Sequence, residues 1–449
     1  MAKKTLSRYV CSNCGESTSS YSGRCPHCGE WNTLEEQITA TAASQSILGG
    51  GKLQTSSIKA SISNDAMRLK TSLTDVDNVF GGGIVVGSVN LIAGQPGIGK
   101  STLLLQLAAT VADNKSVLYV SAEESAHQVG LRAKRLNAAS DKLQLATSTS
   151  ADDIAATIAL GKYDLVIVDS IQAISASAVA SAAGSVAQIT NSTHLLTIAA
   201  KQSNTAIILV GHVTKEGAIA GPKVLEHVVD VVLQLEGDRY GGFKILRAVK
   251  NRFGSTNEAG IFEMADTGLK QVENPSAALL AERQISDGSI VLATLEGNRP
   301  ILVEVQALVN RTSYGYPKRA ASGFDLNRLN LLVAMLERRT KLKLAEHDIY
   351  INLVGGIQIR EPAADLAICM AIGSATKGLK LKANSVVFGE VGLSGEVRHV
   401  TQLEKRLAEA KKLGFDGAIG PKHQSNRKIT ALHGVSSVRE ALNEFLEKD

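Results

Sequence analysis

The chain has 449 residues, enough for two ordinary domains and a small module, and its 44% hydrophobic content supports packed cores and excludes a disordered chain. A formal net charge of +5 permits contact with nucleic acid without demanding it. The segment Met1–Arg8 has no apolar signal stretch and no uncharged apolar run reaches membrane-spanning length, so a cytoplasmic location with reduced thiols and no membrane partner is expected.

In chain order, the first element is a cysteine module. Cys11-x2-Cys14 and Cys25-x2-Cys28 form two knuckles, each closed by a glycine, Gly15 and Gly29. That spacing lets four thiolates converge on one tetrahedral Zn²⁺. A rubredoxin-type iron site competes, because Cys-Pro-x-Cys-Gly knuckles occur there too; the shortage of aromatic residues favours zinc. The module, residues 1–35, should fold only with metal bound. His27, between two ligands, is expected to be exposed. Residues 36–65, rich in Thr, Ala, Ser, Gln and Gly, read as a flexible linker.

From residue 66 to 274, short apolar strands alternate with helices. Strands are predicted at Ser88–Ala93, Ser116–Val120, Asp164–Val168, Thr205–Val210, Val228–Leu235 and Phe243–Val249, and a helix at Thr102–Asp113. This order implies an α/β fold with a mostly parallel sheet covered on both faces. Between the first strand and the helix stands Gly94-Gln95-Pro96-Gly97-Ile98-Gly99-Lys100-Ser101, a full match to the P-loop pattern. Its glycines let backbone N–H groups turn towards phosphate oxygens, and the helix opening at Thr102 adds a favourable dipole. Lys100 is expected at the β- and γ-phosphates of ATP, and the Ser101 hydroxyl on Mg²⁺. The apolar run Leu165–Val168 ends in Asp169, the acid expected to hold Mg²⁺ through water. After the second strand come Glu123 and Glu124, candidates for orienting the attacking water or, alternatively, acids that favour the next helix N-terminus.

Three further stretches complete this region. Ser175–Val186 is rich in Ala, Ser and Gly, and is expected to pack loosely and to be mobile. Gly211–Gly217 follows a strand, so that His212 either senses the γ-phosphate or is a loop histidine with no such role. Lys250-Asn251-Arg252-Phe253-Gly254 follows the last strand.

The third region, 275–449, mixes strand-like Ile301–Val309 with helices at Asn327–Arg339 and Leu403–Leu413 and reads as α+β. Cys369, within apolar Leu366–Ile372, reads as a core residue. Arg311–Arg319 interleaves cations with Tyr314 and Tyr316, a composition suited either to phosphate contact and base stacking or to a solvated loop.

The cysteine module, Gly81–Ile84, the P-loop, Gly211–Gly217 and Lys250–Gly254, taken together and in this order, resemble the RadA (Sms) family of bacterial DNA repair and recombination proteins over nearly the full chain. The resemblance implies a RecA-like P-loop ATPase and assigns the catalytic glutamate to Glu123, with Glu124 second. It implies a homohexameric ring in which Lys250 and Arg252 reach the nucleotide of the next subunit. It also implies a motor on single-stranded and branched DNA that works with the RecA recombinase in branch migration. The Ser175–Val186 segment would then face DNA, although no cation lies in it and Ile189, Thr190 and Asn191 stand where the family has an arginine. For the zinc module, the resemblance implies partner contact or ring control.

From about Gly288 the chain resembles the Lon protease domain, through Gly355-Gly356-Ile357, Glu361–Asp365 and Gly389–Val397. The serine position falls on Ala363 and the lysine position on Glu404, which implies a pseudo-protease scaffold. Two other functions compete with the DNA motor. An ATP-dependent protease conflicts with Ala363 and Glu404; a nucleotide-switched signalling ATPase like the clock protein KaiC would be indifferent to DNA.

Overall fold

The computed structural model describes residues 7–11, 13, 17–18, 20–38, 57, 68–212, 224–237, 242–313, 315–382, 384–422 and 431–447. The chain divides into two compact units, residues 1–66 and 67–449.

The smaller unit is built on strands Ser17–Thr18, Ser7–Cys11 and Leu34–Ile38, antiparallel in that order. Among the described residues, Cys11, Cys25 and Leu34 form a buried apolar cluster, with Tyr9 against it. Among the described residues this is a very small apolar cluster, in keeping with a module in which sulfurs bound to a metal contribute to stability.

The larger unit begins with a nine-stranded sheet. Its order is Gly268–Gln271, Ala259–Ala265, Phe243–Asn251, Val231–Gly237, Val89–Gly94, Ala206–His212, Leu165–Asp169, Val117–Ser121, Leu143–Thr147. The six strands from Val231–Gly237 onward are parallel, and the other three are antiparallel. Alternate residues serve opposite faces: Leu165, Ile167, Ile208 and Val210 join one buried cluster, Val166, Val168, Ile207 and Leu209 another. This two-sided burial is why these strands read as unbroken apolar runs.

The expected strands fall within a few residues of those observed, with one correction. Val228 closes a short helix, Val224–Val228, and the next strand starts only at Val231. Asp230 sets that boundary: its N–H donates to Val89 O at 2.8 Å and its carboxylate accepts from Val89 N at 3.0 Å. The helix expected at Thr102–Asp113 runs over Lys100–Ala112, so Lys100 and Ser101 stand in its first turn.

A second sheet of seven strands contains Ser289–Glu296, Arg299–Arg311, Arg319–Ser322, His347–Leu353, Ser385–Val387, Gly417–Pro421 and Leu432–Val435. Its cluster takes in Ile245, Ala259 and Ile261 from the first sheet, whose alternate neighbours Leu246 and Phe262 face the other way. The three antiparallel strands thus join the two sheets into one unit. Polar ties reinforce the join: Arg299 pairs with Asp75 at 2.8 Å and Arg247 bonds Glu296 at 2.8 Å.

Candidate nucleotide and metal sites

The parallel strands bring four functional side chains to one sheet edge. In register, Gly94 lies beside His212, and Asp169 beside Ser121, at the carboxyl ends of adjoining strands. Ligands bind open parallel sheets at that edge. Gln95, Pro96 and Gly97 form the exposed crown of the P-loop, and buried Ile98 anchors it. Gly99 has φ +113°, a conformation that strains any residue with a Cβ, and a Cβ there would also press on Met264 Cε at 2.9 Å.

Lys100 is 4% exposed and folds back on its own loop. Its ammonium donates to Gly94 O at 2.9 Å, Gln95 O at 3.0 Å and His212 Nδ1 at 3.2 Å. Burial lowers its pKa to about 8, against the opposing pull of Asp169 and Glu123. Donation from Lys100 to Nδ1 places the neutral ring's proton on Nε2, which lies 3.6 Å from Glu123 Oε1. Glu123 also accepts from the Ser170 hydroxyl. Lys100, His212, Glu123 and Ser170 therefore form one polar chain across the strand tips.

The two candidate glutamates have different surroundings. Glu124 is held by Arg132 in a bidentate pair, at 2.6 and 2.7 Å. Glu123 is half exposed and faces His212 and the P-loop lysine. Neither is needed to cap the following helix: Ser125 accepts from Gln128 N and the Gln128 side chain accepts from Ser125 N.

Asp169 is buried, with Oδ2 accepting from the Tyr119 hydroxyl at 2.6 Å. Burial, then the Asp169 charge, raise the Tyr119 pKa well above its ordinary value, so the phenol stays a donor. No described residue donates to Asp169 Oδ1 or holds the Ser101 hydroxyl, and Ser101 and Thr102 are half-buried in the first helical turn. Free carboxylate and hydroxyl oxygens are the hard donors that Mg²⁺ takes, so the residues fit that ion.

Lys250 and Arg252 lie elsewhere. Asn251 pairs with Val231, which pairs with Asn90, so the motif sits at the strand-start edge of the sheet. That edge is four residues, or about 13 Å of strand, from Gly94. Lys250 donates to the carbonyls of Glu226 and, at 2.8 Å, Val229; Arg252 pairs with Asp230 at 3.1 Å. Val213–Gly217, the remainder of the stretch after His212, falls outside the described residues.

The Ala- and Ser-rich segment before Gln188 carries internal ties. The Gln188 side chain accepts from Ala176 N at 2.9 Å and donates to Val179 O at 2.8 Å and Ser181 O at 3.0 Å. Sequence reading missed Gln188 as the organiser of this loop, because the bonds run to backbone atoms that composition does not reveal.

In the small unit, the sulfurs of Cys11, Cys25 and Cys28 lie within 4.8 Å of one another, and Cys11 and Cys28 are 3.6 Å apart. Tetrahedral Zn–S bonds of about 2.3 Å separate sulfurs by about 3.8 Å, so the three fit one ion. Cys14, the fourth expected ligand, falls outside the described residues. His27 is exposed.

In the second sheet's region, Ala363 is 1% exposed and Glu404 is exposed. The side chain that turns inward from the helix Leu403–Lys412 is Arg406. It is fully buried, paired with Glu361, donates to Ala293 O at 2.7 Å and lies over the Phe388 ring. Cys369 is fully buried, and burial pushes its thiol well up. In the basic loop Tyr314 falls outside the described residues, while Tyr316 is 88% exposed.

Three family models match parts of the chain: an AAA domain over residues 55–218, a rubredoxin metal binding domain over 9–36, and subunit ChlI of Mg-chelatase over 330–424. Proteins named DNA repair protein RadA match almost end to end. The one from Listeria monocytogenes is 46% identical over 455 residues, covering 99% of this chain and 100% of the relative. That of Pseudomonas aeruginosa is 46% identical over 451 residues, with 99% and 100% covered. That of Bacillus subtilis is 46% identical over 454 residues, with 99% of each covered. Among solved structures, the RadB recombinase is 22% identical and covers 46% of this chain and all of its own, at a TM-score of 0.38, too low to bear on the fold.

Proposed function

The chain belongs to the RadA family of DNA repair proteins, and from that premise we propose that it is a DNA-stimulated ATPase that drives branch migration during recombination and repair. The observation that carries this reading is the division of charged groups between two sheet edges. Lys100, Glu123, Asp169 and His212 meet at one edge, while Lys250 and Arg252 stand at the other, out of reach of their own P-loop. A nucleotide bound at the first edge can meet those cations only from a neighbouring copy. We therefore assign Lys250 and Arg252 a role in trans within a homohexameric ring.

On this reading, the P-loop amides of Gly94–Ser101 and the helix start at Thr102 cradle the phosphates of ATP. Lys100 leaves Gly94 O, Gln95 O and His212 for the β- and γ-phosphates. Ser101 and Asp169 would hold Mg²⁺, which when bound neutralises charge developing on the phosphoryl group. Glu123 orients the attacking water and accepts its proton, and His212 links the lysine's position to that glutamate. The bidentate Arg132 pair occupies both Glu124 oxygens, which supports Glu123 over Glu124 for this role.

We keep the expected limits 66–274 and 275–449 for motor and pseudo-protease scaffold, but shift the module–linker limit from 35/36 to after Ile38, because residues 36–38 pair with Ser7–Tyr9 in the small unit's sheet. Fully buried Arg406 is held by Glu361, two residues before Ala363 in the chain, which supports a scaffold role. Single-stranded and branched DNA and the RecA recombinase are the partners proposed, on the strength of the family. No described helix is long and apolar enough to cross a membrane.

The test is steady-state ATP hydrolysis by zinc-replete protein with and without single-stranded DNA. Clear stimulation supports the motor. A rate indifferent to DNA, with no DNA retained on filters, would replace it with the signalling ATPase.

A further inference from the structure

The strand Val117–Ser121 is buried along its whole length, and Val117, Leu118 and Val120 are aliphatic as that burial requires. Two residues depart from that pattern: Ser121, whose hydroxyl bonds the Glu124 backbone, and Tyr119. The latter is 1% exposed and packs in the cluster containing Leu103 and Ile167. A buried phenol hydroxyl is costly unless it finds a partner, whereas Leu or Phe would fill the same space without that demand. The partner is Asp169 Oδ2, at 2.6 Å.

The register explains the reach. Tyr119 lies opposite Ile167, and Ser121 opposite Asp169, so the long ring runs along one sheet face to the carboxylate two residues further on. Arg132, the nearby cation that acts on Asp169 electrostatically, has both terminal nitrogens engaged by Glu124. Among the described residues, the Tyr119 hydroxyl is thus the only hydrogen-bond donor to the Asp169 carboxylate. With Oδ2 taken, Oδ1 is the oxygen left for the hydration shell of a cation.

We propose that Tyr119 is a positioning residue for the metal-bound nucleotide, fixing the Asp169 carboxylate so that Oδ1 is presented to Mg²⁺ and its waters. The inference rests on reading Asp169 as the magnesium carboxylate and adds the group that aims it. Hydrogen bonds of this outer kind set both the orientation and the strength of a metal ligand, and their loss costs about 10- to 100-fold in metal affinity.

The test is Tyr119→Phe in the full-length protein, which deletes one oxygen and keeps the packing. A fluorescent, non-hydrolysable ATP analogue is titrated in EDTA and then across a range of MgCl₂. Affinity in EDTA should match the parent protein, while the Mg²⁺ concentration for half-maximal tightening rises about tenfold. Tyr119→Leu, which also packs without donating, should behave alike. In an Asp169→Asn background, Tyr119→Phe should cause no further change in Mg²⁺ dependence. Equal Mg²⁺ half-saturation in parent and Phe variant overturns the inference, as does a loss of affinity that is already complete in EDTA, because that is a packing effect. A parent protein whose binding ignores Mg²⁺ overturns the reading of Asp169 itself, and the inference with it.

Discussion

Arg252→Ala separates catalysis between subunits from stability within one. The Arg252 side chain is 51% exposed, and its only ion pair among the described residues is with Asp230 at 3.1 Å. Half-exposed pairs contribute about 1 kcal/mol or less, and Asp230 keeps its bond from Val89 N, so the variant should fold with little loss. If Arg252 completes the neighbour's site, hydrolysis should fall by about 10³-fold or more, equivalent to about 4 kcal/mol of transition-state stabilisation. The two effects therefore differ several-fold in size. Urea denaturation gives the first and single-turnover ATP hydrolysis the second. Mixing is the decisive arm: Glu123→Ala and Arg252→Ala proteins, each inactive alone, are combined at equal concentrations. In a closed ring with head-to-tail interfaces, about one quarter of the sites would pair an intact Glu123 with an intact Arg252. Activity near that fraction is expected. A drop of only a few fold in Arg252→Ala, or no recovery at any mixing ratio, refutes the trans assignment.

Further outcomes follow from the same geometry. Lys250→Ala should lose turnover too, but at a stability cost of about 2 kcal/mol, because its ammonium ties the Glu226 and Val229 carbonyls; the same urea series reads this. Glu123→Gln should cut turnover by about 10²- to 10⁴-fold and leave nucleotide binding intact, whereas Glu124→Gln should keep most of its turnover; steady-state rates and filter binding distinguish them. Burial holds Lys100 at about 8, and bound phosphates favour its ammonium form, so nucleotide binding should take up a proton above pH 8 and weaken as pH rises through that range. Calorimetry in buffers of different ionisation enthalpy measures that uptake, and Lys100→Ala should abolish it. Metal analysis should find one zinc per chain, and chelation should unfold residues 1–38 selectively, which proteolysis would report. One iron in place of zinc would revive the rubredoxin-type reading.

Much of the site was legible because local spacing dictates it. The P-loop is a contiguous run whose glycines, lysine and serine must stand between a strand and a helix to work at all. Asp169 was legible for a similar reason, as an acid ending a strand too apolar to lie anywhere but the sheet interior. The preference for Glu123 over Glu124 came from the family resemblance, and composition alone carried no reason for it. Two adjacent carboxylates differ only in direction, and that is set by Arg132, on the helix after them. The strand Leu143–Thr147 was missed because it is an edge strand with largely exposed side chains and lacks the apolar run of its neighbours. The resemblance placed the lysine position on Glu404, which is exposed, whereas Arg406 and Ala410 are the buried residues of that helix. One step along a helix rotates a side chain by about 100°, and only packing fixes which step faces the core.

By itself, then, the sequence determined the order of modules, the parallel architecture and the chemical identity of the groups at the phosphate edge. These depend on residue type, spacing and periodicity, all of which are local. Tertiary structure decided which groups share a site. It placed Tyr119 under Asp169, Ser170 and His212 around Glu123, and Lys250 and Arg252 on the far edge of the sheet. Those pairings span tens of residues and depend on strand order and register, which no local pattern encodes.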